Sequence, residues 1–180
     1  MKNLIIAIIL GTLALFIWNA VSWMVLGLHD NTLKNIPESV VEAGDMKNAM
    51  PEPGVYHYPG LAEDADWEAV TQKMQEGPVI SLLVFLPEGT TPFSPKSFLI
   101  SFLLNLLAVG MAAYFLMQTK LSSFQSKALF VGLLGVFAGV VVELPTGSWY
   151  GFPAFYLTIQ MIDYIVGWFL VGAILAWRIK

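Results

Sequence analysis

Apolar positions fall into four long blocks, not the short alternating or every-third-or-fourth patterns that dominate soluble folds. A membrane-crossing helix needs about 20 mostly apolar residues, because the hydrocarbon core is roughly 30 Å thick and a helix rises about 1.5 Å per residue. Leu4–Leu28 satisfies this without a charge. A second block follows Ser94 and Pro95, a hydroxyl N-cap with proline at the first helical position, and runs to Met117. Ala128–Leu144, containing Glu143, and Phe152–Trp177, containing Asp163, are the third and fourth. The first block is too long for the roughly 7–15 apolar residues of a cleaved signal and has no small-residue pair at a cleavage point, so it is expected to stay as an anchor.

Between the first and second blocks the pattern changes. Residues 29–94 are too long for a simple connection, since loops beyond about 12–15 residues are usually functional or carry elements of their own. Pro37 opens a short helix over Glu38–Ala43, closed by Pro51, Pro53 and Gly54. Val55–Tyr58 alternates as a short strand. Asp64 is placed to cap a helix over Ala65–Gln75, whose Trp67, Val70 and Met74 recur at helical spacing before Gly77 and Pro78. Val79–Leu86 reads as a strand apolar on both faces, too short to span as a helix. The fold class is therefore an all-α membrane protein: a four-transmembrane-helix bundle, with residues 1–28 as helix 1, 29–94 as a small acidic α/β extracytoplasmic cap, and 95–180 as helices 2–4.

Composition agrees with that reading. The 180 residues are 57% hydrophobic and only 12% charged, about half the charged share of a soluble domain. With no cysteine, disulfide scaffolds, thiolate zinc sites and thiol redox chemistry are excluded. A net charge of -4 opposes a nucleic-acid footprint. Lys2, Lys120, Lys127, Arg178 and Lys180 fall on one side of four alternating helices with no Asp or Glu, while Lys34, Lys47, Lys73 and Lys96 lie on the other against eleven acidic residues between Asp30 and Glu88. Short cytoplasmic loops retain Lys and Arg, so both termini are expected in the cytoplasm and the cap outside.

Polar residues at membrane depth carry the most information, because a central charge costs about 2.5–3.5 kcal/mol unless paired or neutralised. Thr12, Asn19 and Ser22 share one face of the first helix; Ser101, Asn105, Ala108 and Ala112 share one of the second; Gly132, Gly135, Gly139 and Glu143 form a stripe on the third; Tyr156, Gln160, Asp163 and Gly167 align on the fourth. Small and polar faces of this kind let helix backbones approach and amides bond across them. Asn19, Asn105 and Asp163 each fall roughly 12–15 Å below the outer helix ends and can meet in one layer. No Lys or Arg lies inside a predicted span, so Asp163 is expected to lack a cation from its own chain and to bond as the neutral acid with Asn19, Asn105 or Gln160. Glu143 is expected near the negative end of its helix dipole, an unfavourable place for an anion unless the outer start of the fourth helix or Lys96 compensates.

Other chemistry is thin. His29 and His57, with Asp30, Glu63, Asp64, Asp66 or Glu68 nearby in sequence, have no fixed metal-ligand spacing, so no metal is assigned. Trp18, Trp23, Trp149, Tyr150, Phe152, Phe155 and Tyr156 gather toward the outer face as an interfacial belt, with Trp168 and Trp177 on the inner side. No nucleophile–base pair, phosphate loop or paired-carboxylate spacing gives a reaction class positive support, and no cofactor is implied.

The run from Phe16 to Leu26 with His29 behind it, the Trp149–Pro153 turn and the Gly167–Leu170 run resemble a group of small bacterial membrane proteins of uncharacterised role. The resemblance implies a bacterial inner-membrane setting, supplies no activity, and lends no functional residue. The expected role is an accessory or interaction protein within a larger membrane assembly or homo-oligomer, in contact with lipid and not with nucleic acid, with Val79–Leu86 and the Gly135/Gly139 stripe as its contact surfaces. The alternative is a small ligand- or proton-binding transport module using the Asn19, Asn105 and Asp163 layer.

Overall fold

The computed structural model describes residues 1–42, 45–60, 66–91 and 93–179. It is 69% helical with one small sheet. Among the described residues, four helices are long and apolar enough to cross a membrane: α1 (Lys2–Met24), α5 (Pro95–Met117), α6 (Phe124–Tyr150) and α7 (Ala154–Arg178). Between α1 and α5 come α2 (Glu38–Glu42), α3 (Asp45–Ala49), β1 (Gly54–Tyr58), α4 (Trp67–Glu76) and β2 (Ile80–Phe85). The chain divides into two compact units, Met1–Lys34 with Phe93–Lys180, and Asn35–Pro92.

Helix ends follow local chemistry. Ser94 caps α5 by accepting from the Ser97 amide, with Pro95 at the first helical position. Ser123 does the same for α6 through the Ser126 amide, starting that helix one turn before the Ala128 expected from the apolar run. The earlier start brings Lys127 into α6, which corrects the expectation that no cation lies within a span. Lys127 is 7% exposed, and its Nζ donates to the Ile179 carbonyl at 2.9 Å. A cation there complements the carbonyl end of α7. It is roughly 24 Å along that helix from Asp163, so it does nothing for the acid.

The third span was expected to stop at Leu144, before Pro145. α6 instead continues through the proline to Tyr150 and closes on Gly151 in the left-handed region (φ 70°). Thr146 and Ser148 bond back to the Glu143 and Pro145 carbonyls within this stretch, holding the turn that the missing proline N–H weakens. Glu143 therefore sits inside the helix and not at its carbonyl terminus, and the expected dipole penalty does not apply.

The first unit turns large apolar side chains outward and keeps small ones at its helix contacts. Ile5, Ile9, Leu13 and Ile17, an i+4 stripe on α1, are 40–57% exposed, while Gly11, Thr12 and Ser22 are buried. In water that arrangement would be unfavourable; in hydrocarbon it is what close backbone packing requires. α6 and α7 pack intimately and α1 packs on α7, whereas α5 leans on α1 and meets α6 only sparingly. A Cβ on Gly132 would strike the Phe169 ring, one on Gly135 would strike Trp168, and one on Gly139 would strike Met161. The glycine stripe is thus occupied by α7 of the same chain. This corrects the expectation that Gly135 and Gly139 contact another subunit.

Packing is uneven along the bundle. Buried positions on α5 are Val109, Ala112, Ala113 and Leu116, all in its second half. With Ala7, Leu15, Val131, Val171 and Leu175 they form a tight apolar core toward the chain termini. At the other end no α5 residue is wholly buried, and the bundle opens.

The second unit holds β1 and β2 antiparallel, Val55 opposite Val84 and Tyr56 opposite Leu83, with an irregularity between Tyr56 and Tyr58. Tyr56 packs edge-on against Phe85 at 6.5 Å on one face. The other face, with Val55, Ile80, Leu82 and Val84, is exposed. α4 is capped by Asp66, whose carboxylate accepts from the Glu68 and Ala69 amides. The expected cap Asp64 lies outside the described residues, as do Ala43 and Glu63.

Candidate functional site

α1 was expected to run to Leu28. It ends at Met24, where the Val25 and Leu26 amides both bond to the Val21 carbonyl. Gly27 follows with φ 61°, a backbone that a side chain would strain, and an added Cβ would also meet Asp30 Oδ2 at 2.8 Å. The chain then folds back. Thr32 secures the turn by donating from its amide and its hydroxyl to the His29 carbonyl, at 2.9 and 2.8 Å.

This fold-back lays the His29 ring flat on Trp23, centroids 3.7 Å apart and planes 8° apart. His29 is 4% exposed. Its Nε2 lies 2.9 Å from Asp163 Oδ2 and 3.3 Å from Ser22 Oγ, and the Ser22 hydroxyl donates to Asp163 Oδ1 at 2.5 Å. Both carboxyl oxygens therefore have partners. The expected pairing of Asp163 with Asn19, Asn105 or Gln160 is corrected: its partners are Ser22 and His29. The missed signal is Gly27 directly after the apolar run. Read as the glycine that terminates a helix, it would have stopped α1 near Met24 and freed His29 to turn inward.

Serine, histidine and aspartate in contact invite comparison with a hydrolase triad, but the wiring differs. In a triad the serine uses one ring nitrogen and the aspartate the other, so the ring can take the hydroxyl proton. Here both approach Nε2, and Ser22 gives its hydrogen directly to Asp163. Ser22 is fully buried, leaving no approach for a substrate. The cluster is a held carboxylate, not a nucleophile.

Asp163 also borders open space. A cleft of about 430 Å³ lies between α1, α5 and α7, lined by Leu15, Asn19 and Trp23, by Leu104, Asn105 and Ala108, and by Gln160, Asp163, Tyr164 and Trp168. That volume lies within the range of small-molecule sites. Asn105 Nδ2 is buried without a partner, a group that favours a ligand or water beside it. Asn19 is exposed and Gln160 half-buried. A second, more apolar cleft of about 260 Å³ shares Asn19, Trp23 and Asn105 with the first and adds Phe16, Ala20, Met24, Phe93, Phe98 and Ser101.

The structure thus gathers Asn19, Asn105, Gln160 and Asp163 around one cleft, moves Ser101 to its neighbour, and puts Ser22 beneath Asp163. Glu143 stands apart from the cleft lining but next to Tyr164, which does line it. Gly167 serves packing: a Cβ there would meet Leu15 and Trp18. His57 belongs to the second unit, where its Nδ1 donates to the Pro59 carbonyl. Among the described residues no three His, Asp or Glu side chains converge as a metal site would require. Comparison with protein-family models, with curated proteins and with solved structures finds no match.

Proposed function

We propose that the protein is a multi-pass membrane protein, set in a bacterial inner membrane with both termini in the cytoplasm, that binds a small ligand in the cleft beside Asp163. The observation that carries this reading is a carboxyl group clamped by Ser22 and His29 at the wall of a polar cleft. An intramembrane acid that only fixed helix register would have no need of an adjoining cavity. The tight end of the bundle lies toward the chain termini and the open end lies where α1 ends and α5 begins, so with both termini in the cytoplasm a ligand would enter from outside.

The natural absence of cysteine makes the test direct. Single-cysteine variants Glu88→Cys and Asn105→Cys in intact spheroplasts should react with a membrane-impermeant maleimide, and Lys120→Cys only after permeabilisation. Labelling of Lys120→Cys from outside would reverse the orientation, and an inert Asn105→Cys would close the cleft to ligands.

A second reading, an accessory subunit of a larger membrane assembly or a homo-oligomer, is favoured by the exposed sheet face of Val55, Ile80, Leu82 and Val84, since such apolar patches mark contact surfaces. It predicts that the protein purified in mild detergent carries a second chain or is oligomeric, and that Leu82→Asp with Val84→Asp releases it. A monomer with nothing bound counts against it.

A further inference from the structure

We propose that the two adjacent clefts take an organic cation with an apolar body, its positive charge set against the Asp163 carboxyl group. The inference rests on the cleft being a ligand site and goes on to name the ligand's chemistry.

The charge of the wall decides the sign. Among the residues lining either cleft there is no Lys or Arg, and Asp163 is the one carboxyl group. The groups facing the pair are few. α7 contributes Tyr164 and, two turns away, Tyr156; α6 contributes Glu143 beside Tyr164; the turn after α1 contributes Asp30 next to His29 in sequence; α5 lines the cleft with no titratable side chain. An anionic head would meet the Asp163 carboxyl group with no Lys or Arg in either lining to receive it, whereas a cation finds an acidic partner there. The amide oxygens of Asn19, Asn105 and Gln160 supply the dipoles that would replace its water.

The second cleft sets the shape. It shares Asn19, Trp23 and Asn105 with the first and is otherwise walled by Phe16, Met24, Phe93 and Phe98. Aromatic faces suit both an apolar body and a diffuse positive charge. Trp23 belongs to both clefts and also stacks on His29, so a ligand against its indole touches the residue that orients the pair.

Tetraphenylphosphonium and tetraphenylborate are close in shape and opposite in charge, and serve as probes of the full-length protein in detergent by equilibrium dialysis and calorimetry. The phosphonium is expected to bind at least tenfold more tightly than the borate. Asp163→Asn should remove the preference. Charge selectivity is measured on the unaltered chain, so the proposal can fail even if Asp163→Asn does not fold. Equal binding of both probes, blocked by Ala108→Trp, would overturn the cation proposal and leave the cleft standing. Binding of neither probe would overturn the proposal, and an inert Asn105→Cys would then show that the cleft reading had failed as well.

Discussion

Replacing Asp163 by alanine is expected to lower stability by about 3 kcal/mol, and His29→Phe by a similar amount, while the double variant loses much less than the two together. Removing one member of a buried pair leaves the other without its partner, at about 3–5 kcal/mol; the lower figure applies because the Asp163 side chain is 12% exposed at the cleft. Phenylalanine at position 29 keeps a ring against Trp23, so the cycle isolates the contact through Nε2 and not the stacking. A coupling of about 1–3 kcal/mol is expected for groups in direct contact. Thermal unfolding in detergent, followed by tryptophan fluorescence, supplies the four values. Additive losses would mean that the fold-back of Gly27 does not bring His29 to Asp163.

The second large effect lies in the α6–α7 seam. Gly135→Ala should destabilise by about 1–3 kcal/mol or more, the range for overpacked interiors. The added methyl meets Trp168 at its Cβ and Cγ, atoms next to the backbone that cannot rotate away, so the two helices must separate. Helix propensity alone would give the opposite sign, since alanine is better than glycine in a helix by about 1 kcal/mol. Gly110 provides the control. An added Cβ there meets nothing within 4 Å, so Gly110→Ala should be neutral or stabilising by up to about 1 kcal/mol. If the two variants shift the unfolding midpoint alike, the packing described for α6 on α7 is incorrect.

These two expectations differ in how far they could be read from the chain. Gly132, Gly135 and Gly139 announce a close helix contact by spacing alone, because a stripe at i, i+3 and i+7 lies on one face of any helix. Which surface fills the stripe is not local information. Trp168 and Phe169 on α7 do so, and the seam is therefore intramolecular. Likewise the polar positions Asn19, Asn105, Gln160 and Asp163 share a level because each is counted from a helix end, yet their bonding partners differ from those that equal depth suggests.

Four helices, their approximate lengths and their apolar outer faces were determined by the sequence itself, since length and hydropathy are properties of each segment before it meets another. Ser94 with Pro95 likewise settled where α5 begins. Only the tertiary structure decided that α1 stops at Met24, that Gly27 turns the chain inward, and that His29 reaches a carboxyl group 134 residues away. The physical reason is that an apolar run such as Val25–Leu28 is compatible with another turn of helix or with a capping loop. The choice between them is made by what the next residue gains on folding back: here a stacked indole, a serine hydroxyl and the Asp163 carboxylate.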